Sequence, residues 1–459
     1  MNLKKNPLLT GTLILTFAGI ISRGIGFLYR LFISQAFGEE NMGLFQLISP
    51  VIMIAFSLTG AGMQTAISRY TASCVAIGRP RDARRYLWTG IIICTILSAF
   101  YSVIIYGQAD PVSVYFFKEP RLAPLLRITA LSFPLTALHS CLNGYFYGIK
   151  EVRVPAFTQL AEQLVRTGSV FFLYLSLSTK GQPTIALAAL GMVLGEVASC
   201  SISYVAYQIL AEKKSCLCFG QKRAKSSRQS VPVGVPVLPD VSRTAALTHL
   251  LGMAIPLSCN RLIVNLLQSV EAVSIPEKLK VFGYSTETAL SIYGVLTGMA
   301  FSLVLFPSAF TQSASVLLLP EVTQAASSSH ISQMRNTIRR SILASIALGV
   351  LCSFGFFLFG SWAGKLLFDS QLAGTFIRQL SFLCPFLYLH TTLSSILHGL
   401  KKTGLSLVIN VVTLLIRLGF IIIFIPQVGI AGYLWGLLCS ELLSTVLYLL
   451  CIKRVLLLS

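Results

Sequence analysis

Three arginines stand inside segments that are otherwise almost wholly apolar. Arg23 and Arg30 lie in the stretch SRGIGFLYR of the first segment, and Arg261 lies in the seventh. A guanidinium is permanently charged and presents a planar fork of donors that matches a phosphate or diphosphate. At about 1.5 Å per residue, Arg23 lies roughly 22 Å along its helix from Leu8, and Arg261 roughly 24 Å from Ala245. Such depth indicates a polar cavity that attracts anions.

The composition places the chain in a membrane. Hydrophobic residues make up 54% of the 459 residues and charged residues only 11%, and the mean hydropathy is +0.76. A soluble domain of this length needs a polar surface that the chain lacks. Lys4 and Lys5 precede the first apolar run as in a secretory signal, but no small-residue cleavage site follows and the run is too long. We therefore predict a multi-pass membrane protein with a retained first helix.

Apolar runs divide the chain into twelve segments of membrane-spanning length. Their predicted limits are 8–36, 43–73, 86–107, 122–148, 155–178, 183–211, 244–272, 288–320, 338–360, 372–400, 404–425 and 428–452. The longest polar interruption, with basic residues and repeated Val-Pro steps, separates the sixth segment from the seventh. It predicts a basic cytoplasmic linker at 212–243 between a first six-helix lobe, 1–211, and a second, 244–459.

The distribution of lysine and arginine predicts the orientation. With the N-terminus inside, the cytoplasmic loops hold 22 of the 36 basic residues, the outer loops hold six and the predicted helices hold eight arginines. Cytoplasmic loops carry such an excess in membrane proteins, so both termini are expected in the cytoplasm. The net charge of +20 is then a topology signal, and nucleic-acid binding is not needed to explain it.

The two halves resemble each other. Seven pairs of residues are 251 positions apart, and the last helices match at an offset of 245. The pairs are Arg127 and Arg378, Pro134 and Pro385, His139 and His390, Gly148 and Gly399, Lys150 and Lys401, Arg166 and Arg417, and Gly168 and Gly419, with Glu196 matching Glu441 at the second offset. An even number of helices in each half makes the repeats parallel, as in transporters that bind substrate between two rocking halves.

The repeat predicts which residues line a substrate cavity. Arg23 and Arg261 occupy the first helix of each half, so we expect them on opposite sides of one central space. Ser258, Arg261, Asn265 and Gln268 recur at intervals of three and four and share one helical face, which should line that space. Arg30 and Arg69 are further candidates, although Arg30 could instead snorkel to the outer headgroups. The alternative for Arg23 and Arg261 is a structural one, an interhelical hydrogen bond to backbone carbonyls or serines.

Other intramembrane charges have local explanations. Glu162 and Arg166 are four residues apart and can neutralise each other. Residues that both halves share, such as His139 and His390, more often serve helix packing. Glu196 and Glu441 are candidates for coupling transport to a proton or another ion.

No motif for chemistry on the substrate is present. The sequence has no phosphate-binding Gly-rich loop, no histidine-carboxylate metal motif and no Gly-x-Ser-x-Gly. Cys216 and Cys218 form the one tight cysteine pair, and no histidine is near them. We expect no enzymatic activity, no cofactor and no metal, so the energy for transport must come from a gradient or from the membrane potential.

Four stretches carry a resemblance to a known family. They are AGIISRGIGFLYRLFISQAFGEENMGLFQL, SLTGAGMQTAISRYTA, AIPLSCNRLIVNLLQSVEAVSIPEKLKVFG and YGVLTGMAFSLVLFPSAFTQSASVLLLPEVTQA. In this order they resemble the stage V sporulation protein B-like polysaccharide transporters of the multidrug/oligosaccharidyl-lipid/polysaccharide (MOP) exporter superfamily, and more loosely the MurJ lipid II flippases. The resemblance covers essentially the whole chain. It implies the MOP exporter fold, with two parallel lobes.

The resemblance also implies a function and its site. It implies a flippase that moves undecaprenyl-diphosphate-linked sugars, such as a peptidoglycan or polysaccharide precursor, across a bacterial cytoplasmic membrane, with membrane lipid as its other partner. Arg23, Arg30 and Arg261 would hold the diphosphate. Two alternatives remain open: a cation-coupled multidrug exporter of the same superfamily, and a non-transporting scaffold that recruits cell-wall enzymes through the linker. The role of Glu271, near the end of the seventh helix, is left unassigned.

The topology is testable by cysteine labelling in intact cells. A membrane-impermeant maleimide should react with Gln108→Cys, in a predicted outer loop, and should spare Ser226→Cys, in the predicted cytoplasmic linker. Permeabilised cells provide the control, because both variants should then react. Labelling of Ser226→Cys in intact cells would contradict the map.

Overall fold

A computed structural model describes residues 7–179, 183–221, 242–312, 331–400 and 402–458, and within these ranges the chain contains helices and no strands. The predicted linker lies largely outside the described residues. The sixth helix nevertheless continues to Gln221, so the first ten residues of the predicted linker are helical. The predicted eighth segment, 288–320, is described only as far as residue 312.

Twelve long helices occupy the described part of the chain, one for each predicted segment. They are α1 (Pro7–Gln46), α2 (Ser49–Ala76), α3 (Pro80–Gly107), α4 (Pro120–Ala130 and Phe133–Gly148), α5 (Arg153–Ser178), α6 (Ala186–Gln221), α7 (Arg243–Phe282), α8 (Thr286–Val304), α9 (Ile331–Phe368), α10 (Gln371–Gly399), α11 (Thr403–Ile423) and α12 (Ile430–Leu458). The two parts of α4 meet at a bend of 44°.

These helices are suited to a membrane. Ten of them are long and apolar enough to cross it, and the bent α4 makes an eleventh. The remaining helix, α5, has 26 residues but carries Glu162 and Arg166 near its middle, and it packs between α1 and α6. The prediction of an all-α protein with about twelve membrane helices is thus confirmed, with α5 as its most polar member.

The two lobes are joined through their first two helices. In the first lobe α1 packs against α5, and in the second lobe α7 packs against α11 in the same way. Each of these helices also crosses to the other lobe, because α1 packs against α8 and α7 packs against α2. The contact between lobes therefore depends on α1, α2, α7 and α8.

The second helix of each lobe contains a π-helical segment. Ser57–Ala61 interrupts α2, and Val295–Ala300 interrupts α8. Both contain the tripeptide Leu-Thr-Gly, at positions 238 apart, which is also the separation of Arg23 from Arg261. Each π segment contacts the first helix of the opposite lobe. Such segments often mark functional sites, because they widen a helix and re-aim its side chains.

One end of the interface is closed by direct contact between the lobes. We call the end at which α1 begins the inner end and the opposite end the outer end. A Cβ atom added to Gly43 of α1 would lie 2.1 Å from the Leu290 carbonyl oxygen, and one added to Gly294 of α8 would lie 2.4 Å from the backbone nitrogen of Gly43. The backbones of α1 and α8 therefore touch at the outer end, where only glycine fits.

Polar contacts reinforce this outer closure. Gly38, with a φ of 82°, bends α1 just before Glu39. The Glu39 carboxylate then accepts hydrogen bonds from Ser291 at 2.7 Å and from Ser370 at 2.5 Å, both in the second lobe. Lys118 of the first lobe also pairs with Glu277 of the second. The lobes are consequently joined across the outer end.

The glycine contact predicts a specific sensitivity to substitution. Gly43→Ala should force α1 and α8 apart and destabilise the protein by about 1–3 kcal/mol, as overpacking does. Gly19→Ala on the same helix is the matched control, because an added Cβ there meets nothing within 4 Å. Thermal unfolding of the purified proteins in detergent measures both. Equal melting temperatures for the two variants would contradict the backbone contact.

Candidate functional site

A cavity of about 410 Å³ lies between the two lobes. The first lobe contributes α1 and α5 to its wall, and the second lobe contributes α8 and the segment that follows it. The lining residues are Ser22, Arg23, Gly26, Phe27, Arg30, Gln159, Gln163, Ser302, Leu305, Phe306, Ser308 and Gln312. The described part of the wall is thus rich in arginine, glutamine and serine and contains no carboxylate.

Arg23 and Arg30 both line this cavity, as expected for the two candidates on α1. Arg23 donates a hydrogen bond to the side-chain oxygen of Gln312, across the interface between the lobes. No described carboxylate neutralises either guanidinium. The charged side chain that interacts with Arg30 electrostatically is Arg166, which is also positive. The cavity therefore presents two cationic groups, which suits an anionic ligand.

Neutral polar groups surround the two arginines. Gln159 and Gln163 lie one turn apart on α5 and face α1, and Ser302, Ser308 and Gln312 approach from the second lobe. An amide offers both donors and acceptors, and a hydroxyl does so as well. This mixture can bind a ligand rich in hydroxyl groups beside its charge. Sequence reasoning missed the glutamines, although their spacing of four on α5 would have placed them on one face.

Gly26 leaves the α1 wall of the cavity open. A Cβ added at Gly26 would meet only the Gln163 side-chain oxygen, at 3.8 Å. The space over this part of α1 is therefore available to a ligand. A methyl group would fit at Gly26, whereas a larger side chain would occupy the cavity.

The other predicted site residues lie outside this cavity wall. Arg261 and Gln268 are exposed on α7. Asn265 donates to the Ser57 hydroxyl at 2.5 Å and to the Met53 carbonyl at 3.2 Å, so it binds the π segment of α2. Arg69 approaches the Met253 sulfur at 4.0 Å. The structure thus brings Arg23 and Arg30 together, and the approach of Arg23 to Arg261 stays a prediction.

A largely buried cluster of polar side chains lies inside the first lobe, on α4, α5 and α6. His139 of α4 lies 3.6 Å from a Glu196 carboxylate oxygen of α6, and the Ser199 hydroxyl lies 3.1 Å from the same ring nitrogen. The other ring nitrogen lies 2.9 Å from the Asn143 amide nitrogen. The prediction that His139 serves helix packing agrees with these contacts, which join α4 to α6.

Glu162 and Arg166 of α5 complete this first-lobe cluster. They form the predicted ion pair within one helix. One ligand atom from each of His139, Glu162 and Glu196 lies within 4.8 Å of the others, a spacing that could hold a small cation. This is the one such group among the described residues. Because α5 also carries Gln159 and Gln163, the cluster and the cavity share a helix.

The second lobe repeats the core of this cluster. His390 lies 3.3 Å from a Glu441 carboxylate oxygen and 3.1 Å from the Ser444 hydroxyl. These residues match His139, Glu196 and Ser199 at the offsets of 251 and 245 found in the sequence. The internal repeat therefore conserves a histidine, glutamate and serine triad at the same place in both lobes.

Arg417 has partners that its spacing did not reveal. Its guanidinium lies 3.4 Å from a Glu271 carboxylate oxygen and 3.9 Å from a Glu441 oxygen. The Tyr433 hydroxyl donates to Glu271 at 2.8 Å. Glu271, to which the sequence assigned no role, thus ties α7 to α11 and α12. Its partners are 146 and 162 residues away, so no local pattern could have found them.

Comparison with known proteins matches two family models to the chain, and the boundary between them falls near the end of α7. The model of a family described as "Polysaccharide biosynthesis protein" matches residues 8–275, and the MatE model matches residues 279–423. The chain is 27% identical to stage V sporulation protein B of Bacillus subtilis (strain 168) over 456 residues, which cover 98% of this chain and 85% of that protein.

Solved structures share the fold at low sequence identity. The lipid II flippase MurJ in an inward closed conformation superposes with a TM-score of 0.72 at 14% identity, over 97% of this chain and 89% of that one. A multidrug resistance MATE family transporter of the MOP superfamily, in an inward-facing conformation, superposes with a TM-score of 0.70 at 14% identity, over 97% and 98%. The expected MOP exporter fold is thereby confirmed.

The contact of Glu271 with Arg417 predicts a large loss of stability when the Glu271 side chain is removed. Glu271→Ala leaves Arg417 buried with only the more distant Glu441, and breaking a buried pair in this way costs about 3–5 kcal/mol. Glu277→Ala is the matched control on the same helix, because its pair with Lys118 is exposed and worth about 1 kcal/mol at most. Melting temperatures in detergent compare the two. A loss for Glu271→Ala no larger than that of the control would contradict the assignment.

Proposed function

The chain belongs to the polysaccharide biosynthesis protein family, and we propose that it is a flippase for lipid-linked oligosaccharides. Its substrate would be a polyprenyl diphosphate that carries a sugar precursor of peptidoglycan or of another polysaccharide. Its membrane would be the bacterial cytoplasmic membrane, with both termini in the cytoplasm. The similarity to stage V sporulation protein B and the shared fold with the flippase MurJ support this choice of substrate class.

One observation carries the proposal. Arg23 and Arg30 line a cavity between the lobes and have no described carboxylate partner. An unpaired guanidinium at this depth is costly unless it faces water or an anion, so the cavity holds water when empty and favours a ligand of negative charge. A diphosphate offers the oxygen geometry that two guanidinium groups bind best.

The remainder of the substrate also fits the wall. The sugar next to the diphosphate is rich in hydroxyl groups, which Gln159, Gln163 and Ser308 can bind. A volume of about 410 Å³ is within the range of about 300–1,000 Å³ usual for small-molecule sites. The polyprenyl tail would remain in lipid while the polar head crosses between the lobes.

Alternating access would move the head across the membrane. The lobes touch at the outer end through Gly43 and Glu39, so the cavity would load from the inner side in this conformation. Rocking the lobes 1–211 and 244–459 apart at the outer end would release the substrate there. Arg261, which lies in the first helix of the second lobe as Arg23 lies in the first helix of the first, would then receive the diphosphate. Asn265 and Gln268 on the same helix, and Arg69 on the neighbouring α2, would assist it.

A multidrug exporter is the second candidate, because the fold is shared with a multidrug resistance transporter. The cavity wall disfavours it. A cationic drug would meet Arg23 and Arg30 without a carboxylate in the lining to attract it. A non-transporting scaffold that recruits cell-wall enzymes through the linker is also disfavoured, because such a role would not need the cavity between the lobes.

Translocation in proteoliposomes tests the proposal. The purified protein should move a fluorescent polyprenyl-diphosphate sugar between leaflets, and Arg23→Ala and Arg30→Ala should each slow this at least tenfold. Arg23→Lys should retain part of the rate because the charge survives. Gly26→Leu should block the cavity without altering any charge.

Matched controls separate these effects from misfolding. Gly24→Ala should move substrate as the wild type does, because nothing lies within 4 Å of its added Cβ. Arg127→Ala should do so as well, since Arg127 pairs with the exposed Asp110 at the outer end. Unchanged translocation in Arg23→Ala, or export of cationic dyes by the wild type without movement of the lipid, would overturn the proposal.

A further inference from the structure

Two phenylalanine rings lie in the wall of the cavity, among its polar groups. Phe27 of α1 belongs to the first lobe, and Phe306, just after α8, belongs to the second. Their ring centroids are 5.7 Å apart, so the pair spans the interface between the lobes. The arginines, glutamines and serines of the wall account for binding of a diphosphate and of hydroxyl groups, and they leave these two rings unexplained.

A third ring fixes the position of Phe27. Phe368, at the end of α9, meets Phe27 edge to face, with centroids 6.3 Å apart and planes at 87°, which is a preferred geometry for aromatic pairs. Phe368 is buried, whereas Phe27 and Phe306 are only partly buried. The planes of Phe27 and Phe306 are inclined at 43°, so this pair is neither stacked nor perpendicular. The buried ring thus serves packing, and the two partly exposed rings present apolar surface to the cavity.

Hydrogen-bonding groups flank this apolar surface. The side-chain oxygen of Gln163 lies over Gly26, the residue before Phe27. Arg23 and Arg30 lie about one helical turn before and after Phe27 and line the same wall. A wholly apolar ligand would leave the amide and the guanidinium groups unpaired, and a ligand that is polar all round would gain nothing from the rings. The wall therefore fits a ligand with a polar rim and an apolar face.

A pyranose ring has this mixed character. Its hydroxyl groups point outwards around the rim, and its axial C–H groups form an apolar face that can pack on an aromatic ring. We propose that Phe27 and Phe306 form the subsite for the sugar bonded directly to the diphosphate, with the C–H face of that sugar against the rings. This subsite rests on the proposed function and adds to it a recognition of the sugar itself.

The subsite gives the cavity a selectivity that charge alone would reverse. A polyprenyl diphosphate without a sugar carries one more negative charge than the same lipid with a sugar, so Arg23 and Arg30 favour the bare carrier. The bare carrier is also what remains after any reaction that transfers the sugar to an acceptor. Contact of the rings with the sugar rewards only the loaded carrier, and specificity is such a difference between two affinities.

Equilibrium binding to two synthetic lipids tests the subsite. Isothermal titration calorimetry of the purified protein in detergent compares farnesyl diphosphate with farnesyl diphosphate that bears one N-acetylglucosamine. Phe27→Leu and Phe306→Leu should each weaken binding of the sugar-bearing lipid about fivefold, the size of an aromatic contact, and should leave binding of the bare lipid unchanged. The ratio of variant to wild type for each lipid cancels the difference in charge between the lipids. Phe306→Tyr should retain the affinity because the ring face survives, and Arg30→Ala should weaken binding of both lipids.

The second lobe supplies the matched control. Phe382 pairs with Phe357 at 5.5 Å on a lipid-facing surface outside the cavity, so Phe382→Leu should bind both lipids as the wild type does. Phe306→Leu keeps the test valid if Phe27→Leu fails to fold. The subsite is overturned if the two cavity variants weaken both lipids by the same factor, as contact with the prenyl chain would, or if they weaken neither. A wild type that binds neither lipid would instead refute the proposed function.

Discussion

A charge inside a membrane must have a partner, and the disposition of the arginines follows from this constraint. Arg166 and Arg417 are neutralised by buried glutamates. Arg23 and Arg30 have no such partner and face a cavity that admits water or an anion. The deep arginines therefore divide into those that a glutamate neutralises and those that face the cavity.

The two lobes share one set of polar contacts and differ in another. Both preserve the contact of a histidine with a glutamate and a serine, which joins the fourth helix of each lobe to its sixth. The arginine of the fifth helix is also common to both, yet it contacts one carboxylate in the first lobe and two in the second. Relocating a single acidic residue from α5 to α7 accounts for the difference. It also ties α7 firmly to the second lobe.

Much of this arrangement could be predicted from the sequence because it depends on local spacing or on the repeat. The pair of Glu162 and Arg166 follows from their separation of four, and the equivalence of His139 with His390 follows from the constant offset. The contacts of Glu271 could not be predicted, since its partners lie on helices far along the chain. The polar stripe of α7 was expected to face a cavity, but Asn265 binds the backbone and hydroxyl of α2. A periodic pattern identifies a polar face and does not say whether a ligand or a neighbouring helix meets it.

The two π-helical segments occupy equivalent positions in the two lobes. Such a segment arises when one residue is inserted into an α-helix, which rotates everything beyond it by about 100°. Ser57–Ala61 and Val295–Ala300 carry this feature at the same place in both lobes, with the same Leu-Thr-Gly core. Two independent insertions at one site would be a rare coincidence. The interruption is therefore a shared feature of the repeat, placed at equivalent positions in the second helix of each lobe.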